Sequence, residues 1–328
     1  MNSKILKSGH IKLYKRENSK FWQMKIKLPK QKAIRSSSGT KILKEAEKIA
    51  LNNYSLLNKE NKIKIKKTLN NIFKKMHLVE TADLNKKEIE FILDEAQKFI
   101  SFNKMKIKKN NLLEGRTIFN LFFEDSTRTR TSFEVAAKRL GADLINVAVK
   151  DSSINKGETL LDTMTTINSM NPDVLIIRHP DEGISKKISM NVDACVINAG
   201  DGSHEHPTQA LLDALTIKNR FKNFNKLLIA ICGDILHSRV ARSNIIILSK
   251  LGAKINVIGP KEWLPKNIKK LPVTVFTDMK KGLKNCDIVM MLRIQKERIV
   301  GKIMPNQKTY FNKYGLDYNK LKYAKKNA

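Results

Sequence analysis

The run Glu124-Asp125-Ser126-Thr127-Arg128-Thr129-Arg130-Thr131-Ser132-Phe133-Glu134 follows directly on an apolar segment ending at Phe123. Ser126 stands where it would cap a helix whose apolar positions include Phe133, Ala136, Ala137 and Leu140. Free backbone N–H groups, hydroxyls and a guanidinium would then converge at one helix N-terminus, which is a site for an anion and specifically for a phosphate. An ordinary capped helix with a basic first turn is the plain alternative. Cations there oppose the helix dipole, which argues against it unless an anion binds.

Arginine usage points the same way. The chain holds 63 Lys and Arg, of which only 12 are Arg. Six of these, Arg128, Arg130, Arg178, Arg239, Arg293 and Arg298, lie mostly just past the ends of apolar runs. Open α/β sheets bind ligands at the C-terminal ends of their strands. Planar, bidentate recognition of phosphate and carboxylate is what guanidinium does and ammonium does poorly. Several anionic groups are implied.

Other residues carry weaker signals. His204-Glu205-His206 has the look of a metal pair, but no third ligand stands at suitable spacing. His179 and His237 read as structural. Gly157-Glu158-Thr159 reads as a loop entering a helix. Lys156 is by itself one more lysine, and Arg298 reads equally well as a partner for a carboxylate.

The elements that must position these residues follow from the hydrophobic pattern. Apolar runs at 118–123, 144–149, 174–178, 195–198, 227–232, 255–258, 273–276 and 288–292 alternate with helix-like stretches, one of them at 207–220. Continuous rather than alternating apolar strands predict burial on both faces, as in parallel sheets covered by helices. The first segment differs: 11–14, 22–28 and 33–36 read as three short strands, with Trp22, Met24, Ile26 and Leu28 on one face, and 44–57 as a helix. The predicted fold is therefore α/β, two doubly wound parallel-sheet domains preceded by a small β-β-β-α module. The expected boundaries are a basic module at 1–57, a Lys-rich linker at 58–72, a first domain at 73–206 and a second at 207–328.

At 328 residues, 41% of them hydrophobic, the chain is long enough for about two domains with ordinary cores, which excludes wholesale disorder. The formal net charge is +32. Much of it reads as a solvated lysine surface, but the excess is concentrated in the first 70 residues, where a polyanion partner is the natural reading. Cys195, Cys232 and Cys286 are far apart in or beside apolar runs, which predicts reduced core residues in a cytoplasmic protein. No apolar stretch approaches the roughly 20 residues that span a bilayer, and the start lacks a signal-peptide core.

The motif at 122–134, together with Ser152-Ser153-Ile154-Asn155-Lys156-Gly157-Glu158-Thr159, Arg178-His179-Pro180, His206-Pro207-Thr208-Gln209, His237-Ser238-Arg239 and Arg293-Ile294-Gln295-Lys296-Glu297-Arg298, closely resembles the aspartate carbamoyltransferase family, catalytic chain, over residues 73–328. The resemblance implies the transcarbamoylase fold, with a carbamoyl phosphate-binding domain first and an aspartate-binding domain second. It implies carbamoyl transfer from carbamoyl phosphate to L-aspartate in pyrimidine biosynthesis, without a cofactor, metal or dedicated protein base. By the same resemblance Ser126, Thr127, Arg128 and Thr129 hold the phosphate, and Thr129, Arg178 and His206 bond the carbonyl oxygen. Gln209 then binds the carbamoyl NH2, and Arg239 and Arg293 clamp the aspartate carboxylates with Gln295 assisting. Ser152 and Lys156 enter from a neighbouring subunit, which implies a homotrimer, and regulatory chains are a further partner the family admits. Ornithine-type chemistry is an alternative, as is a DNA-binding protein carrying an inactive transcarbamoylase-like part.

Two departures generate expectations of their own. The family continues past a segment like Tyr323–Ala328 into a strand, a His-Pro-Gly-Pro loop and a helix that returns to the first domain. For the sequence as written, the expectation is uncovered apolar surface on that domain, weak stability and weak or absent activity. Tyr14-Lys15-Arg16, Trp22 and Arg35-Ser36-Ser37-Ser38-Gly39-Thr40 resemble the arm-type DNA-binding domain of phage integrases, which implies DNA as a partner of residues 1–57. An unrelated basic extension is the alternative, and a joined reading frame would account for both departures.

Overall fold

The computed structural model describes residues 3–7, 9–17, 19–28, 32–55, 76–147, 159–299 and 306–328. The expected linker at 58–72, the end of the first helix, and Ser152 and Lys156 lie outside the described residues. The chain divides into two compact units, Met1–Lys74 and Lys75–Ala328.

In the first unit, strands β1 (Ser3–Leu6), β2 (Ile11–Tyr14), β3 (Gln23–Ile26) and β4 (Ile34–Ser37) form an antiparallel sheet in sequence order. A helix, α1, covers 43–55. Ile11, Leu13, Trp22, Met24 and Ile26 share the inner face and pack with Ala46 and Ala50 of α1. Leu28 is buried too, so the predicted alternation from Trp22 to Leu28 holds. The reading of three strands is corrected to four. β1 pairs with β2 along its whole length, Ser3 with Tyr14 through Leu6 with Ile11. It escapes a pattern search because it is a short edge strand with Ile5 63% exposed, so hydrogen bonding holds it more than burial.

The second unit is built on two four-stranded sheets, parallel throughout. The first contains β5 (Thr117–Phe122), β6 (Asp143–Val147), β7 (Val174–His179) and β8 (Cys195–Asp201) in the order β6-β5-β7-β8. The second contains β9 (Leu228–Cys232), β10 (Lys254–Ile258), β11 (Val273–Phe276) and β12 (Ile288–Met291) in the order β11-β10-β9-β12. All eight predicted apolar runs are strands. Their continuity has the expected cause: Phe119, Leu121, Leu175 and Ile177 belong to one core, while Ile118 and Ile176 belong to another on the opposite face.

Helices fill the connections. α2 (Lys86–Phe102) starts at a capping box in which Asn85 accepts from the Glu88 N–H while Glu88 accepts from that of Asn85. α3 (Thr127–Leu140) links β5 to β6 and ends at left-handed Gly141. α4 (Leu160–Asn168) is capped by Thr159 with Asp162, while Gly157 and Glu158 of the predicted helix entry lie outside the described residues. α5 (Ile184–Ser189) links β7 to β8. α6 (Pro207–Phe221) matches the helix predicted at 207–220, with Pro at its first position where the missing N–H costs nothing. α7 (Arg239–Leu251) links β9 to β10 and α8 (Met279–Leu283) links β11 to β12. Two short helices, α9 (Gln307–Tyr314) and α10 (Tyr318–Leu321), follow β12. Between α2 and α3 an apolar groove of about 680 Å³ is lined by Phe99, Phe102, Val135, Ala136 and Leu140.

The three cysteines are free, with Cys232 and Cys286 fully buried in the core of the second sheet and Cys195 partly so. Burial pushes the Cys232 and Cys286 thiols up to about 12 and about 11, so neither is a nucleophile at neutral pH.

α8 touches its sheet through a residue without a side chain. A Cβ on Gly282 would lie 2.5 Å from Cδ1 and 2.6 Å from Cγ1 of buried Ile258, and 3.1 Å from Cβ of Phe276. Gly282→Ala is therefore expected to overpack this contact and cost about 1–3 kcal/mol. The measurement is urea unfolding, where the midpoint should fall with an unchanged slope.

Candidate active site

Doubly wound sheets open a crevice where the chain leaves the centre of the sheet in opposite directions, at the strands' C-terminal ends. In the first sheet that point lies between β5 and β7, and in the second between β9 and β12. The residues following these four strands include Glu124 to Thr129, the segment beyond Arg178, Asp234 to Arg239, and Arg293 to Arg298. A single cavity of about 350 Å³ gathers residues from the first, third and fourth of these segments together with Arg178 of β7 and residues at the start of α6. Ser126, Arg128, Thr129, Arg178, His206, Gln209, Arg239, Arg293, Gln295 and Arg298 line it, as do Ser238 and Leu292.

Most of the residues singled out in the sequence thus come together. Thr127 does not: successive residues of a helix point some 100° apart, and it lies against the apolar groove between α2 and α3, whereas Ser126 lines the cavity and Arg128 borders both. Ser126 occupies the N-cap of α3, but its hydroxyl makes no capping bond. Its backbone at φ −161°, ψ 90° differs from the usual capping geometry, and the first turn is closed only by the Arg130 N–H donating to the Ser126 carbonyl at 3.1 Å. The hydroxyl expected to serve the helix is therefore left for the cavity. Arg298 does pair with a carboxylate, that of Glu124 at 3.4 Å.

Glu124 organises the centre of the site, a role its place in the motif did not disclose. Arg239 donates through Nη1 to Oε2 at 3.0 Å and through Nη2 to Oε1 at 3.1 Å. Arg178 donates to Oε1 at 3.1 Å. Burial alone would push the Glu124 carboxyl up, but the hydrogen bond and charge of Arg239, with the charges of Arg178 and Arg298, hold it below the ordinary range. Burial and the neighbouring Arg239 pull the Arg178 guanidinium down to about 10, which leaves it cationic at neutral pH. An incoming polyanion would meet guanidiniums already aimed at an anion and would compete with Glu124 for them.

The backbone of β8 and of Gly202 just after it completes this arrangement. Arg178 Nη1 donates to the Ala199 carbonyl at 3.2 Å, and Arg239 Nη1 to the Gly202 carbonyl at 3.1 Å. Gly200, at φ +115°, admits both guanidiniums: a Cβ there would stand 2.9 Å from Arg239 Nε and 3.2 Å from Arg178 Nη1. Asp234, fully buried, ties the second sheet's two loops together by accepting from the Gln295 N–H at 3.0 Å, the His237 N–H at 3.2 Å and the His237 ring at 2.8 Å. Arg293 instead reaches outward to Glu297 in a paired contact. Its fork geometry toward a carboxylate is thus already formed.

The sequence His204-Glu205-His206 points three ways. His204 bonds Asp201 at 3.1 Å, and Glu205 accepts from Thr81 at 2.9 Å and from Ser243. His206 alone lines the cavity, its N–H donating to the Ser243 hydroxyl at 2.9 Å. Burial, followed by the charges of Arg239 and Arg178, pulls the His206 imidazole down to about 3. It is therefore a neutral ring that can donate one hydrogen bond to an oxygen in the cavity. His179 and His237 make local contacts, to the Asp181 N–H and to Asp234.

The family descriptions that match are the aspartate/ornithine carbamoyltransferase carbamoyl-P binding domain over residues 76–219 and the Asp/Orn binding domain over 225–328. The chain belongs to the aspartate/ornithine carbamoyltransferase family. It is 55% identical to the aspartate carbamoyltransferase catalytic subunit of Pelagibacter ubique over 252 residues, 77% of this chain and 80% of that one. The corresponding subunit of Parvibaculum lavamentivorans is 53% identical over 262 residues, 80% of each chain. Among solved structures, aspartate transcarbamoylase from Trypanosoma cruzi in complex with carbamoyl aspartate and phosphate superimposes with a TM-score of 0.68 at 30% identity, covering 76% of this chain and 82% of that one. Ornithine carbamoyltransferase from Pyrococcus furiosus gives a TM-score of 0.67 at 27% identity, with coverage of 76% and 82%. The transcarbamoylase fold expected from the sequence is the fold observed.

His206 in the cavity wall and its neighbour His204 outside it give opposite pH signatures. Folded His206 stays neutral where the unfolded chain takes up a proton near 6.5, so this residue withdraws stability as pH falls from about 6.5 toward 3. The Asp201 hydrogen bond raises His204 above 6.5, so its contribution is full at lower pH and lost as pH rises through the folded value. In a titration followed by imidazole proton resonances, His204 is expected to titrate above 6.5 while His206 shows no transition down to pH of about 4.

Proposed function

We propose that this chain catalyses carbamoyl transfer from carbamoyl phosphate to L-aspartate, giving N-carbamoyl-L-aspartate and phosphate in pyrimidine biosynthesis. The observation that carries this reading is the meeting of Arg128 and Thr129 at a helix N-terminus with Arg178, His206, Gln209, Arg239, Arg293 and Gln295 around one cavity. Helix N–H groups with Ser126, Arg128 and Thr129 suit a phosphate, and Thr127 contributes through its backbone at the first position of α3. Thr129, Arg178 and the neutral His206 suit a carbonyl oxygen on which charge develops. Arg239 and Arg293 suit two carboxylates, and Gln295 stands between them in sequence and in the cavity wall.

In the step itself the aspartate amine attacks the carbamoyl carbon. A C–N bond forms, the bond from carbon to the bridging phosphate oxygen breaks, and the departing phosphate takes the proton the amine loses. Fixed donors at the carbonyl oxygen lower the barrier because they meet the charge where it appears. Aspartate rather than ornithine follows from the carboxylate-directed guanidiniums and from the relatives above 50% identity, which are aspartate enzymes. We further propose a cytoplasmic homotrimer in which Ser152 and Lys156 of a neighbouring copy complete each cavity, with regulatory chains as further partners. Among the described residues no helix is long and apolar enough to cross a membrane.

Residues 1–57 support a second, separate activity, the binding of DNA. On the outer face of their sheet Lys12 lies opposite Lys25, and Lys25 opposite Arg35. The remaining residues of that face, Ser3, Ile5, Tyr14, Gln23 and Ser37, include no acid. Like charges directly across neighbouring strands destabilise a sheet unless an anion relieves them. The resemblance to an integrase arm-type domain supports the same reading.

Two experiments test these readings. Aspartate-dependent formation of carbamoyl aspartate by the purified chain is expected, with Arg128→Ala lowering the rate by about a hundredfold or more. Full activity of the variant would refute the site, and turnover of ornithine in place of aspartate would refute the reaction. Duplex DNA affinity is expected to fall steeply with salt, and Lys12→Ala, Lys25→Ala and Arg35→Ala each to reduce the log–log slope by about one while Arg128→Ala leaves it unchanged.

A further inference from the structure

Gln209 and Asp213 lie one turn apart on α6, on the same face. Gln209 donates through Nε2 to Asp213 Oδ1 at 2.9 Å. The other carboxylate oxygen accepts from Asn244 of α7, Nδ2 to Oδ2 at 2.8 Å, and the same Nδ2 reaches the Val240 carbonyl at 3.1 Å. Asp213 therefore stands between two side-chain amides from two helices. A carboxylate only accepts, so both amides must turn their NH2 ends toward it. Asn244 does so although its own oxygen, fully buried, is left without a partner. Leaving a buried acceptor unpaired is costly, and the Asp213 carboxylate and the Val240 carbonyl together hold Asn244 in that orientation.

For Gln209 the same commitment has a chemical consequence. Its amide is planar, and with the NH2 end held by Asp213 the end left for the cavity is the carbonyl oxygen, which among the described residues takes no donor. We infer that Asp213 is a positioning residue that makes the cavity selective for a carbamoyl group over an acyl group. By fixing Gln209 it presents an acceptor where carbamoyl phosphate has an NH2 and an acyl phosphate has a methyl group. A site built around an acceptor rejects the analogue that leaves the acceptor unpaired. Without Asp213 the amide of Gln209 can offer either end. This inference rests on the proposed carbamoyl phosphate reading and adds to it the origin of the discrimination.

The test is equilibrium calorimetry on the full chain with carbamoyl phosphate and acetyl phosphate, without aspartate. Asp213→Ala is expected to weaken carbamoyl phosphate by about tenfold while changing acetyl phosphate by less than about twofold. Gln209→Ala is expected to give the same loss, and the double variant no more than either alone, because both act through one hydrogen bond. Asp213→Asn keeps the volume but can present either oxygen or NH2 to Gln209, so its discrimination should fall between those of the unaltered chain and Asp213→Ala. Equal weakening of both ligands in Asp213→Ala with unaltered discrimination in Asp213→Asn would overturn the inference. So would a loss from Asp213→Ala that persists in the Gln209→Ala background. If the unaltered chain binds acetyl phosphate and carbamoyl phosphate equally, the selectivity does not exist. If it binds neither, the proposed reaction fails and takes the inference with it.

Discussion

One carboxylate surrounded by three guanidiniums holds the site together. Arg178 comes from the first sheet, Arg239 from the start of α7 and Arg298 from beyond β12, and all three reach Glu124 at the end of β5. Each of these cations would repel the others at such distances without it, and burial sharpens both the repulsion and the attraction. The ends of both sheets must therefore face one another closely enough for a single side chain to serve them. The open glycine backbone at 200, the neutral His206 and the cavity between the sheets all follow from that requirement.

Parallel sheets supply it economically. Each sheet brings its central strands out at a switch point, and each strand's C-terminal end delivers one or two polar residues into the same space. Of the strands' own residues, Arg178 near the end of β7 is the charged one that lines the cavity. In the first sheet the strand side chains fill a core on each face, which holds the strand ends from which guanidiniums are aimed. The first sheet and α3 provide groups suited to phosphate. The second provides groups suited to carboxylates, with Asp234 bracing its two loops.

Much of this was legible in the sequence because the determining physics is local or periodic. Burial on both faces writes a strand as an unbroken apolar run, and all eight such runs are strands. The scarcity of Arg against Lys marked the cavity, since only guanidinium supplies planar forks. The edge strand Ser3–Leu6 was not legible, because nothing about an edge demands hydrophobicity on two faces. Glu124 was seen as part of a motif but not as its centre, for its partners lie 54, 115 and 174 residues away. Asp234 and Gly200 were missed for the same reason: each acts on groups brought near only by the finished fold. That the Thr127 side chain turns toward the groove was not legible either, because consecutive motif residues look equivalent in a string and are not on a helix.

The groove between α2 and α3 bears on how molecules of this protein meet in solution. An apolar trough of about 680 Å³ is a surface that a second molecule could wet with its own side chains, and surfaces of this kind drive non-specific clustering. Set against it is a formal charge of +32, which makes every approach between copies repulsive at long range. Shared mobile ions shorten that repulsion to about 8 Å at physiological ionic strength, while the attraction of apolar surface is untouched by them. The lysine-rich exterior thus acts as a colloidal stabiliser whose strength depends on the ions of the medium.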